Sequence, residues 1–289
     1  MGCARATSLK PGRIRAENGD APSRPALPVP AMFKKIRIAI LALILVNVAV
    51  GAWLTRARTT AWAHPLRVAV FPIAGDSSPA TASYIAALAT ETFTPVDDFF
   101  REEGKRHGLT LSRPVELRLA RRVDGLPPEP PYGQGGLPVL LWSLKMRFWA
   151  WRNGDVDGPA PHVRLFVIFH DPKLSASVPH SVGLQKGLIG VVHVFASGAQ
   201  AAENKVVIAH ELLHTVGATD KYDPATNQPL FPEGYADPEQ QPLLPQTYAE
   251  LMAGRIAVSR TEAEMPRGLE AVLVGEKTAS EIGWSAAGR

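Results

Sequence analysis

The 289 residues contain one cysteine, Cys3, which excludes an intramolecular disulfide and every cysteine-rich metal site. A metal held by this chain must therefore rest on histidines and carboxylates. The chain also has little net charge. The formal net charge is +4, but residues 1–60 carry ten Lys/Arg against two Asp/Glu, which leaves the remainder net negative by four. The basic arm lies beside an apolar run, no nucleic-acid-binding motif is present, and no repeat is visible, so no nucleic-acid partner is expected. What the chain does have is 46% hydrophobic residues with 20% charged, an ordinary globular balance that allows a substantial core.

There is one long hydrophobic run. Residues 38–54 contain no charge, follow Lys34, Lys35 and Arg37, and precede Arg56 and Arg58. This length and flanking charge predict a single transmembrane helix, N-terminus in the cytoplasm, with the remaining chain on the periplasmic or extracytoplasmic side of a bacterial-type membrane. The small-x-small triplet Ala61-Trp62-Ala63 offers the alternative of cleavage and secretion. Residues 1–31 are rich in Pro, Ala, Gly and Arg without periodicity, and form either a disordered segment or a misassigned start ahead of Met32. The expected organisation is thus residues 1–31, a basic flank and span over 32–58, and one catalytic domain over 64–289.

Within that domain, residues 66–73, 163–169 and 188–195 are short β-branched and apolar runs that read as buried strands, and 115–123 alternates like a half-exposed one. Residues 80–106 carry apolar positions at helical spacing, with Pro95 expected to break the helix in two. Residues 137–152 form a further helix whose aromatic cluster is assigned to the core, and 199–216 another. Strands alternating with helices predict an α/β (α+β) fold, a mixed, mostly parallel twisted sheet with helices packed on it.

The last helix carries the chemistry. In the run His210-Glu211-Leu212-Leu213-His214, two histidines four apart leave the same helix face one turn apart, so both imidazoles can reach one ion. Glu211 lies where a carboxylate can take a proton from attacking water and later pass it to a leaving amine. Gly217 follows; glycine tolerates the left-handed conformation that ends a helix and turns the chain. Asp220 then falls where a third ligand is needed, leaving a fourth position for water and substrate, with Asp223 as the alternative ligand or as a loop cap.

The run from His210 to Asp220 resembles the metzincin motif H-E-x-x-H-x-x-G-x-x-H with Asp220 in place of the third histidine. In that form it is similar to the snapalysins and to secreted bacterial proteases of the immune inhibitor A type, whose continuation resembles Gly217-Ala218-Thr219-Asp220-Lys221-Tyr222-Asp223. The resemblance covers only the active-site half. It implies a zincin-type domain, Zn2+ as cofactor, a peptide or protein substrate, and a methionine turn beneath the metal, for which Met252 in Glu250-Leu251-Met252-Ala253-Gly254 is the candidate. The tyrosine that sometimes follows this methionine is absent, since Gly254 stands there, leaving Tyr222, Tyr235 or Tyr248 to stabilise an oxyanion. It also implies that residues 191–196 border the cleft and pair with extended substrate if that strand has a free edge.

The leading expectation is a membrane-anchored zinc metalloendopeptidase. Its rivals are a catalytically silent peptide- or envelope-binding module, a zinc hydrolase of a non-protein amide, and a site whose third ligand is a glutamate on a later helix. The remaining histidines, His64, His107, His162, His170, His180 and His193, lack ligand spacing and read as structural or exposed. Oligomeric state is not legible.

Overall fold

The structure is a computed structural model that describes residues 35–43, 45, 46, 50, 61–131, 133 and 135–284. The chain divides into two units, Met1–Ala49 and Val50–Arg289. In the first, the described residues are helical, and Ile38, Leu41 and Leu45 are exposed. Much of the expected span over 38–54, and all of 1–31, lie outside the described residues. Among the described residues no helix is long and apolar enough to cross a membrane.

The second unit is built on a five-stranded sheet. Strands β1 (Leu66–Ala74), β2 (Val115–Leu119) and β3 (Val163–His170) are followed by β4 (Val182–Leu184) and β5 (Ile189–Phe195). Their order is β2-β1-β3-β5-β4, all parallel except β4, which runs antiparallel to β5. The architecture is therefore mixed α/β with a mostly parallel sheet, as the run of buried β-branched segments predicts.

Alternation along the strands separates two cores. Val68, Val70, Leu165, Val167, Val192 and Val194 face the larger one, while Ala69, Phe71, Ile73, Phe166, Ile168 and Val191 face the smaller. Helices α1 (Pro79–Ala86) and α2 (Thr94–Arg106) belong to the larger core, and α3 (Leu137–Asn153) alone supplies the helical side of the smaller. Helix α4 (Ala201–Val216) drives Ile208, Leu212, Leu213 and Val216 into the larger core. Leu212 and Leu213 are buried and contribute about 2 kcal/mol each, so the helix cannot rotate and the face bearing His210 and His214 is held away from that core.

After α4 come four two-residue strands, β6 (Ala249–Glu250), β7 (Ile256–Ala257), β8 (Ala263–Glu264) and β9 (Val272–Leu273), and the short helix α5 (Glu276–Glu281). The β6–β9 pair is parallel and β7–β8 antiparallel. Trp62 packs edge-on to Trp284 at 5.5 Å and donates from Nε1 to the Ile282 carbonyl at 2.7 Å, tying the two ends of the domain together.

Several expectations are corrected. The helix expected over 80–106 is in two parts, but the break comes before Pro95: α1 ends at Ala86, a 3-10 turn over Thr90–Phe93 follows, and Pro95 occupies the first turn of α2, where its missing N–H costs nothing. The strand expected over 115–123 stops at Leu119. Strand β4 has no sequence signature, being three residues around Gly183, and it makes β5 an interior strand. Strand β4 already takes the edge of β5 at Val191, so a substrate cannot pair with residues 191–196 along their whole length. The aromatic cluster of α3 does not all enter the core: Trp142 is buried, whereas Phe148 and Trp151 are exposed.

Candidate metal centre

Helix α4 ends in Gly217 at φ 112, with the Ala218 N–H bonded to the Leu213 carbonyl at 3.0 Å and the Gly217 N–H to His214 at 3.2 Å. This is a left-handed helix stop in which the glycine reverses the chain without a Cβ penalty. A Cβ there would lie 2.6 Å from Gln185 Nε2. The reversal returns Asp220 to the histidine face. Asp220 Oδ1 lies 3.2 Å from His210 Nε2 and 3.0 Å from His214 Nε2, and the two Nε2 atoms are 3.0 Å apart.

The outer nitrogens decide what these atoms are. His210 Nδ1 is 2.9 Å from the Leu251 carbonyl, and His214 Nδ1 is 2.9 Å from the Ala218 carbonyl. A carbonyl only accepts, so each Nδ1 carries a hydrogen, and in its neutral form each ring turns an Nε2 lone pair inward. In that form two lone pairs and a carboxylate oxygen converge, an arrangement that a cation completes. Without a metal, burial lowers the His210 pKa, but Asp220 and Glu211 outweigh it and push it up to about 8. Burial raises the Asp220 carboxyl, but its contacts with His210 and His214 prevail and hold it well below the usual carboxylate range.

Glu211 stands apart from this triangle. Its side chain is buried and Oε2 has no hydrogen-bond partner; burial raises its pKa, opposed by the two histidines. An orphaned buried carboxylate oxygen beside converging imidazoles fits a partner that arrives with metal and substrate. His210, Glu211 and His214 offer ligand atoms that all lie within 4.8 Å of one another, a set able to hold a metal ion.

Met252 is fully buried in the turn after β6. The preceding Leu251 carbonyl holds His210, and the Met252 carbonyl accepts from the Lys221 N–H at 3.0 Å, so this turn braces both sides of the triangle. Gly254 takes φ 68 in the same turn. Asp223, the alternative ligand, accepts from the Ala225 N–H at 2.8 Å and closes a local turn instead. Of the tyrosines, Tyr222 has its ring 6.5 Å from that of His210. Burial raises its pKa, and Asp220 and Glu211 add to the effect.

Three features had no signal in the sequence. Glu250, fully buried, accepts from the Ala253 N–H (2.9 Å), the Gly275 N–H (3.1 Å) and the Thr278 hydroxyl (2.6 Å), pinning the methionine turn to α5. Glu281 accepts from Thr219 N–H at 2.9 Å and Lys221 Nζ at 2.8 Å, clamping the residues on either side of Asp220. Gly183 of β4 packs on α4 so closely that a Cβ would lie 2.3 Å from His214 Cβ, which sets the sheet edge against the helix bearing both histidines.

The other histidines stay outside this centre, but two meet. His170 Nε2, at the end of β3, and His193 Nδ1, within β5, are 3.0 Å apart. Burial, then the neighbouring His170, lower the His193 pKa to about 4. An ordinary unfolded-state value near 6.5 means that the unfolded chain binds the extra proton between those limits, so stability is present above about pH 6.5 and is lost as pH falls toward 4. The loss from this group is expected to reach about 2 kcal/mol once solvent screening of the part-exposed ring is allowed for. Urea unfolding of the parent and of His193→Gln at both ends of that window measures it; equal pH dependence in the two would refute it.

No family model matches the chain, and no curated protein does. Among solved structures the chain is similar to OgpA from Akkermansia muciniphila, at 12% identity and a TM-score of 0.38, over 78% of this chain and 62% of that one. The chain thus spans less than two thirds of that protein's length, and a likeness of this degree supports no conclusion about activity.

Proposed function

We propose that this chain is a zinc-dependent endopeptidase of the metzincin type, with His210, His214 and Asp220 as metal ligands and Glu211 as general base. The observation that carries this reading is the convergence of His210 Nε2, His214 Nε2 and Asp220 Oδ1, 3.0, 3.0 and 3.2 Å apart, with both Nδ1 atoms committed to carbonyls. Two imidazoles and one carboxylate form a donor set suited to catalytic zinc, which binds three protein groups and keeps one position open. The metal, when bound, supplies Lewis acidity toward water and the scissile carbonyl.

The chain's own residues do the rest. Glu211, desolvated and with one carboxylate oxygen free of partners, takes the proton of the attacking water and delivers it to the departing amine. Strand β4 lies at the end of the sheet and packs on α4 beside His214, so its outer edge is suited to pair with an extended peptide and present the bond to the centre. Tyr222, whose ring lies 6.5 Å from that of His210, is the tyrosine assigned to stabilise the oxyanion. Residues 38–54 would tether this unit to a membrane, with the centre on the far side from the cytoplasm.

The test is metal removal from the full chain. With zinc bound it is expected to cut denatured casein into fragments seen by mass spectrometry. Chelation should abolish the cuts, and returning zinc should restore them. If the zinc-loaded chain makes no cut that the chelated chain does not, the peptidase reading fails; peptide binding without cleavage would then favour the silent module.

A further inference from the structure

Helix α3 buries one side and leaves the other bare. Trp142, Met146 and Ala150 are buried against the sheet, whereas Leu137, Leu141, Leu144, Phe148 and Trp151 are 49–74% exposed. These five positions alternate at intervals of four and three, so they form one stripe roughly 80° wide, and Leu140, also exposed, widens it to about 100°. Of the thirteen large apolar side chains exposed among the described residues 61–284, seven lie on this helix. A contiguous apolar stripe this long is not what scattered surface hydrophobics produce, and marks an interaction surface.

Charge selects the partner. The helix contains no Asp or Glu, and its exposed Lys145, Arg147 and Arg152 flank the stripe, Lys145 and Arg152 on one side and Arg147 on the other by helical geometry. This stands out in a chain whose residues beyond 60 are net negative. A second copy docked on the same face would bring these like charges close to their own counterparts. Phosphate headgroups would instead be attracted to this basic helix while the leucines and aromatics enter the acyl boundary.

We propose that α3 is an interfacial helix that lays its 137–151 stripe into the surface of an anionic phospholipid bilayer. The inference rests on α3 alone and is independent of the peptidase reading and of any span over 38–54.

The test follows one position in the full chain. In a Cys3→Ser background, an environment-sensitive fluorophore on Phe148→Cys should shift to the blue on vesicles of phosphatidylcholine containing phosphatidylglycerol. The same fluorophore on Glu239→Cys, exposed in the loop before β6, should not. Reversing Lys145, Arg147 and Arg152 to Glu should abolish the shift, with the circular dichroism of the chain unchanged. Raised salt should weaken it without any substitution, which keeps the test decisive if the reversed chain does not fold. Absence of a shift at Phe148→Cys overturns the proposal, as does a shift that survives both charge reversal and salt. A shift already present without lipid and growing with protein concentration would assign the stripe to a second copy instead.

Discussion

Replacing Glu211 by Gln is expected to reduce peptide hydrolysis by about a thousandfold, a loss in the range that removal of a general base causes, while leaving bound zinc unchanged. Glutamine keeps the size and burial of the side chain but cannot accept the proton. The separation of the two effects follows from the geometry. His210, His214 and Asp220 form the close triangle, whereas the Glu211 carboxylate keeps one buried oxygen without a partner. Steady-state cleavage of a peptide and metal analysis on the same sample give both readouts. If activity survives, the proton is moved by another group and the mechanism is wrong. If zinc is lost together with activity, Glu211 is itself a ligand, within the His210, Glu211 and His214 set, and its assignment as base falls.

Asp220→Ala is expected to weaken zinc binding by more than about a hundredfold, since loss of an outer partner of a ligand already costs about that much. Asp223→Ala should leave affinity unchanged and affect only the turn in which its carboxylate accepts from Ala225. Competition with a chelating dye measures both. Asp220 is held where it is by its neighbours: Thr219 and Lys221 are bonded to Glu281, and the Lys221 N–H to the Met252 carbonyl. The opposite outcome, affinity lost in Asp223→Ala and kept in Asp220→Ala, would mean that this segment rearranges when metal enters.

The two histidines and Glu211 were legible in the chain because they sit on one helix, where a period of 3.6 residues alone puts positions 210 and 214 on the same face. Gly217 was legible for a similar reason, as a residue whose conformational freedom suits the helix stop that it forms at φ 112. The buried strands β1, β3 and β5 announced themselves as apolar runs. Strand β4 did not. Three residues around a glycine carry no period, and they become a strand only because β5 offers them partners and α4 leaves room for no Cβ at Gly183.

Composition and local period therefore determined the class of fold, the helix that carries the motif, and the chemistry of its side chains. They could not determine which distant groups brace that motif. Glu250 meets Thr278 across 28 residues, Lys221 meets Glu281 across 60, and His210 meets the Leu251 carbonyl across 41. Nor could they tell which face of α3 would be covered, since its apolar residues surround the helix and only the sheet, by packing on Trp142, Met146 and Ala150, left the 137–151 stripe bare. The physical reason is common to all of these: periodicity reports geometry within one element, whereas a buried carboxylate or an uncovered apolar face is defined by what the rest of the chain brings to it or withholds.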